Sequence, residues 1–159
     1  MIITYNPIGI IHSPFKELTS MPIQPASDTS GPGSVEIYPP FIKGLKDLEG
    51  FSHVILLYHM HEVRDVTLAV TPFLDSVPRG IFATRAPSRP NPIGLSVVEL
   101  VRIEGDTLHV ENLDVLDGTP LLDLKPYVPE FDHKVDASIG WLERVKGNVK
   151  GTISDDRFK

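Results

Sequence analysis

Apolar and polar residues alternate along this chain in short runs, and the runs predict strands more often than helices. Ile8-Gly-Ile-Ile-His12 predicts a first strand, ended by Ser13-Pro14. Residues 19–33 are rich in Pro, Ser, Thr and Gly and predict a long loop. Ser34-Val-Glu-Ile-Tyr38 alternates as a half-buried strand does. Residues 40–50 carry apolar side chains at 41, 42, 45 and 48, with proline near the start and glycine at the end, which predicts a short helix. Residues 52–61 form a strongly apolar strand suited to a central place. Residues 65–71, rich in β-branched side chains, predict another. Residues 95–103 and 107–113 flank the turn Glu104-Gly-Asp106 and predict a hairpin. Residues 121–128 predict a last strand before a proline-punctuated tail, in which 137–145 suits a short helix.

Six or seven short strands with few helices predict a mainly β fold, a barrel or a sandwich with appended elements. The strand–helix alternation of a nucleotide-binding α/β domain is absent. So are the glycine-rich dinucleotide fingerprint, the phosphate-loop lysine motif and the Gly-x-Ser-x-Gly elbow.

One segment breaks the alternation. Gly80-Ile-Phe-Ala-Thr-Arg-Ala-Pro-Ser-Arg-Pro-Asn-Pro-Ile-Gly-Leu-Ser96 holds two arginines, an asparagine and three prolines between short apolar runs. Each proline fixes φ, removes an amide donor and pushes its predecessor toward extended geometry, so residues 87–92 cannot be helical. A stiff loop carrying Arg85, Arg89 and Asn91 is expected. Two readings stand open: guanidinium forks that recognise phosphate or carboxylate, or a loop stapled by its arginines to its own carbonyls.

Composition narrows the setting. With 159 residues, 41% hydrophobic and 23% charged, the chain suits one globular domain. There is no cysteine, hence no disulfide framework, thiolate nucleophile or thiolate metal site. The lack of a long apolar run argues against a membrane span, and the N-terminus does not read as a signal peptide. These features favour the cytoplasm. A net charge of −6 argues against a generic nucleic-acid coat, yet no acidic residue lies between Asp75 and Glu99 while Arg79, Arg85 and Arg89 do. That local basic face can still grip a few phosphates.

Other candidates stand beside plainer readings. Asp114 and Asp117 belong either to an aspartate-rich turn ending in Gly118-Thr119-Pro120 or to a loop that holds a polar ligand, where a carboxylate suits a cationic sulfonium or a proton in flight. His59 and His61 share a strand face and permit a metal site, but no third ligand is spaced convincingly near them, and no metal is assigned. Lys125 and Tyr127 read as a strand end that could orient a base or phosphate. Pro22-Ile23-Gln24 reads as linker on composition alone.

Four segments then change the picture together. Residues 8–17, 51–58, 80–96 and 113–128 closely resemble, in order and spacing, the motifs of the TsaA/TrmO family, and the likeness covers most of residues 7–132. The resemblance implies a single-sheet antiparallel β-barrel with one or two short helices and long ordered loops, over residues 1–135, followed by a short C-terminal extension over 136–159. It implies S-adenosylmethionine as cofactor and tRNA as substrate, methylated at N6 of N6-threonylcarbamoyladenosine in the anticodon loop by a homodimer. Carried over by position, the cofactor residues would be Pro22, Ile23, Gln24, His61, Glu62, Arg85 and Leu95. Asp114, Val115, Leu116, Asp117, Gly118 and Thr119 would complete the pocket. The sequence departs from the bacterial pattern at Ile23, where many bacterial members have arginine, and it lacks their larger C-terminal domain, as the short archaeal-like form does.

On this reading the protein aligns nucleophile, methyl and leaving sulfur in line. Asp117 or Tyr127 would accept the N6 proton. Arg85, Arg89, Asn91 and Lys125 would face the substrate. The rival readings are a methyltransferase acting on another RNA or a small metabolite, and a non-enzymatic β-barrel binding module, metal-dependent through His59 and His61.

Overall fold

The computed structural model describes residues 1–17, 30–73 and 75–145. Six strands close into one antiparallel barrel: β1 (Gly9–His12), β2 (Gly31–Ile37), β3 (His53–His59), β6 (Ile93–Glu104), β7 (Thr107–Leu113) and β8 (Thr119–Pro126), in the order β1-β2-β7-β6-β3-β8. Pairing of Gly9 with Leu121 and of Ile11 with Thr119 joins β8 back to β1, so the expected single-sheet barrel is what forms. Closure leaves no open edge.

The two-residue period fills the interior. Ile11, Val35, Val54, Leu56, Val98, Leu108 and Leu121 are fully buried, while their chain neighbours face out or lie at the surface. Register shifts at Gly31/Gly33, Leu57/Tyr58 and Leu100/Arg102 mark bulges, which bend strands enough to let a six-stranded sheet close.

Antiparallel pairing gives the barrel two unlike ends. His12, Gly31, His59, Ile93, Leu113 and Thr119 end or begin their strands at one rim. Ile37, His53, Glu104, Thr107 and Pro126 lie at the other, the base. The base is plugged by residues 39–50, which connect Ile37 to His53. This stretch is not one helix but two 3-10 turns, Pro39–Leu45 and Leu48–Gly50, separated by Asp47 in the left-handed region (φ 66°). The left-handed Asp47 ends the first turn and starts the second, so the stretch cannot run on as one helix. The apolar spacing still works, since Leu45 and Leu48 are buried against the core.

Residues 65–71 do not join the barrel. Only β4 (Ala69–Val70) is strand, paired with β5 (Arg79–Gly80) in a separate two-stranded arm. The reason is topological: β3 is already flanked by β6 and β8, so no barrel edge remains for it. The last strand begins two residues earlier than its apolar run, at Thr119, because that end pairs with β1. In the tail, Pro129–Asp132 makes one α-turn, α1, which the sequence pattern did not predict. Gly140–Val145 is a 3-10 turn. Trp141 fastens it to the arm, its indole N–H donating to the Ala83 carbonyl at 2.8 Å and its ring lying 5.4 Å from the Arg79 guanidinium.

Candidate functional site

The chemistry gathers at the rim, and it begins with polar residues at inward positions. On β6 the inward series is Gly94, Ser96, Val98 and Leu100, so a hydroxyl takes a place meant for an apolar side chain. Ser96 is 1% exposed and pairs across the sheet with Leu56, while Gly94 pairs with Tyr58. The Tyr58 ring lies where a side chain at 94 would be: a Cβ added to Gly94 would sit 2.1 Å from a ring carbon. Tyr58 thereby leans over the barrel mouth, its hydroxyl 3.0 Å from Ser96 Oγ. Ser96 Oγ donates to Asp114 Oδ1 at 2.6 Å, a short charge-assisted bond.

Asp114 opens the segment between β7 and β8. Burial pushes its carboxyl up to about 6, against the hydrogen bond from Ser96 and the nearby Arg85 charge, which favour ionisation. Tyr58 is pushed well above its ordinary value, by burial first and by the Asp114 charge second. Arg85, exposed at the end of the arm, is the cation that faces both groups.

The same segment continues past Asp114 with a different character. Val115 turns into the core and is 2% exposed, so only its backbone can meet a ligand. Gly118 takes φ 76°, which makes the turn possible without Cβ strain. Asp117 lies on the outer side. Lys16 pairs with its Oδ2, the Ser13 amide donates to Oδ1 at 2.9 Å, and His12 Nδ1 is 3.8 Å away. The hydrogen bond from Lys16 and then the Ser13 amide hold the Asp117 carboxyl below the usual carboxylate range. The Asp117 and Gly118 amides donate to Phe15 and Ile11 carbonyls at 2.8 and 2.9 Å, which ties the turn to the exit of β1. Beyond Asp117 an open groove of ≈ 500 Å³ is lined by His12, Lys16, Ser34 and His109 among others.

Thr119, buried, donates its hydroxyl to the Leu116 carbonyl at 2.7 Å. Its one proton is then committed, so the 3.3 Å contact with His61 Nδ1 requires the imidazole N–H to donate. His61 Nε2 lies 3.7 Å from the Glu62 carboxylate. Thus His61, Glu62, Arg85, Asp114, Leu116 and Thr119 come to one rim from three separate segments. Leu95 stands beside them on the outer face of β6, exposed.

The proline loop divides between its two readings. Arg89 donates through Nη1 to the Thr84 and Ala86 carbonyls, both at 3.1 Å, so it staples the loop. Pro92 O accepts from the Met60 amide and Ser88 O from the Thr67 amide, which fixes the loop to β3 and the arm. Arg85 and Asn91 remain exposed. Lys125 and Tyr127 are not brought to the rim. They lie at the base end of β8, on the order of 25 Å from Thr119 at ~3.4 Å per residue. There Lys125 pairs with Asp123 at 2.7 Å and Tyr127 packs edge-on against His53. Among the described residues no cluster of three or more His, Asp or Glu side chains could hold a metal ion, so His59 and His61 gain no third ligand there. Pro22, Ile23 and Gln24 lie outside the described residues. No helix among the described residues is long and apolar enough to cross a membrane.

Sequence reasoning missed Tyr58 and Ser96. The available signal was weak: a serine at an inward strand position, opposite a strand ending in tyrosine and histidine.

Comparison with known proteins places the chain in a family. The sequence profile of the tRNA-methyltransferase O N-terminal domain matches residues 10–133. A probable S-adenosyl-L-methionine-binding protein of Pyrococcus abyssi is 52% identical over 158 residues, covering 99% of this chain and 86% of the relative. The tRNA (adenine(37)-N6)-methyltransferase of Escherichia coli is 36% identical over 149 residues, and the chain spans 63% of its length. The crystal structure of TrmO from Pseudomonas aeruginosa superposes with a TM-score of 0.72 at 42% identity, covering 89% of this chain and 63% of that one. Because the profile takes in the whole barrel except Gly9, together with the arm, the proline loop and the Asp114–Thr119 turn, the chain belongs to the TrmO N-terminal domain family.

Proposed function

We infer that this chain is an S-adenosylmethionine-dependent tRNA methyltransferase, and we propose N6 of N6-threonylcarbamoyladenosine in the anticodon loop as its target. The observation that carries the reading is the convergence of His61, Arg85, Asp114 and Thr119 at one barrel rim, since the family resemblance assigns all four to the cofactor. The residues fit such a ligand. An oriented, mostly buried carboxylate suits a sulfonium cation, an exposed guanidinium suits a carboxylate, and the Leu116–Gly118 backbone offers polar groups at close approach. When bound, the cofactor supplies an activated methyl group.

The chain's own residues orient and hold. Arg85 is free to meet an anionic ligand group, whereas Arg89 keeps the loop in shape. Exposed Arg85 and Asn91 form the face where an anticodon loop would approach, and a loop nucleotide is splayed out at a cost of only a few kcal/mol. Of the residues proposed for the N6 proton, Asp117 is engaged by Lys16 and has a lowered proton affinity, which suits fixing the turn better than accepting a proton. Tyr127 lies at the opposite end of its own barrel and could act only from a second copy. Such a copy has a surface to use, because Val66, Leu68, Val77 and Phe82 on and beside the arm are exposed apolar side chains.

The test is methyl transfer from labelled S-adenosylmethionine to tRNA with and without the threonylcarbamoyl group. Label is expected on the modified adenosine alone. Label on unmodified tRNA, or on a free nucleoside in preference to tRNA, would overturn the substrate assignment and leave the cofactor assignment standing.

A further inference from the structure

The half-buried Tyr58 phenol and the buried Ser96 hydroxyl beneath Asp114 have no part in the reading above, and with Asp114 ionised their bonding has only one consistent direction. An ionised carboxylate accepts and cannot donate, so Ser96 gives its single proton to Asp114. The 3.0 Å contact must then be Tyr58 donating to Ser96. Gly94 keeps the ring in place, because any larger residue there would occupy its position. The other charge facing Tyr58 and Asp114 is Arg85, from the loop after the arm; His61, from the end of β3, is held to Thr119 at the far end of the same segment.

Resting on the cofactor assignment just made, we propose that Tyr58 and Ser96 are positioning residues. They hold the Asp114 carboxylate at the barrel mouth as the counter-charge for the sulfonium, so that the site prefers the cationic cofactor to its neutral thioether product. Two features of the molecule support this. The carboxylate is oriented by a short bond from a residue that is itself fully buried, so its direction does not depend on solvent. Its burial also makes an opposite charge worth more than at the surface. A group raised to about 6 loses its charge as pH falls through that value, and the preference should be lost with it.

Isothermal titration of the full chain with S-adenosylmethionine and with S-adenosylhomocysteine, from pH 5 to pH 8, tests the proposal. The unaltered chain should favour the sulfonium form roughly tenfold at pH 8 and lose that preference below pH 6. Asp114→Asn should remove the preference at every pH, which separates its share from any contributed by His61. Ser96→Ala should move the midpoint upward by about half a pH unit, because a bond to the charged form is lost. Ser96→Thr should restore it, and Tyr58→Phe should move it less. A preference that is level from pH 5 to 8 in the unaltered chain, or that survives in Asp114→Asn, overturns the proposal while the cofactor assignment stands. Failure of both ligands to bind overturns the cofactor assignment and the proposal with it.

Discussion

Asp114 and Asp117 belong to one short turn, yet they occupy opposite environments. Asp114 faces the barrel mouth, where burial raises its proton affinity and a serine orients it. Asp117 faces the outer groove, where Lys16 and the Ser13 amide lower its proton affinity. The inner carboxylate is costly to ionise and therefore useful to a cation. The outer one is comfortable as an ion and serves the fold, tying the turn to the end of β1. Residue type does not separate them; the two-residue period of a strand and the direction of one turn do.

The largest way to break this contrast is through Gly94. A methyl group there would overlap the Tyr58 ring, so Gly94→Ala should cost about 2–3 kcal/mol in urea unfolding and displace the phenol that supports Ser96. Loss of cofactor binding larger than the loss of stability would show that the ring positions Asp114 and does not merely pack.

Next is Asp114→Asn. A carboxyl raised to about 6 is stabilising while protonated, below its ordinary value of 3.8, and that contribution is lost as pH rises through about 6. The native state at pH 8 therefore carries the cost of an ionised, mostly buried group. Asp114→Asn should make the ligand-free protein more stable by about 2 kcal/mol at pH 8 and by nothing at pH 4, while weakening cofactor binding. No gain at pH 8 would mean that the carboxylate is better solvated than its surroundings indicate.

The smallest effect belongs to Asp117 and has the opposite sign. Its lowered proton affinity stabilises the fold above the ordinary carboxyl range and is lost as pH falls through the depressed value. The pair with Lys16 is partly exposed, so screening keeps it small: Asp117→Asn should cost about 1 kcal/mol at pH 7, and Lys16→Met less. Thermal melts at pH 7 and pH 3 should show the difference narrowing at the lower pH.

How far the sequence reached differs between the two rims. Alternation on β2, the apolar run of β3 and the turn-flanked pair β6 and β7 announced strands and a hairpin, because these are local properties of the chain whatever surrounds them. Pattern reached less far at 40–50, where the predicted helix is two 3-10 turns divided by the left-handed Asp47, and at 65–71, where a strand-like stretch found no vacant edge. At the site, Arg85, His61, Asp114 and Asp117 stood out by residue type and spacing, but a shared role for them came only from motif resemblance. Arg89 was legible in both its possible roles, and only the carbonyls of Thr84 and Ala86 decided which bonds it makes.

By itself the sequence determined a mainly β chain without cysteine, a stiff proline loop bearing arginines, and the family. Those follow from local properties: side-chain period, fixed φ angles and motif spacing. Tertiary structure alone decided that Tyr58, Ser96 and Asp114, from β3, β6 and the turn after β7, become one hydrogen-bonded chain. It also placed Tyr127 at the far end of β8. Barrel closure sets which strands adjoin and which ends share a rim, and that is a property of long-range pairing that no local pattern contains.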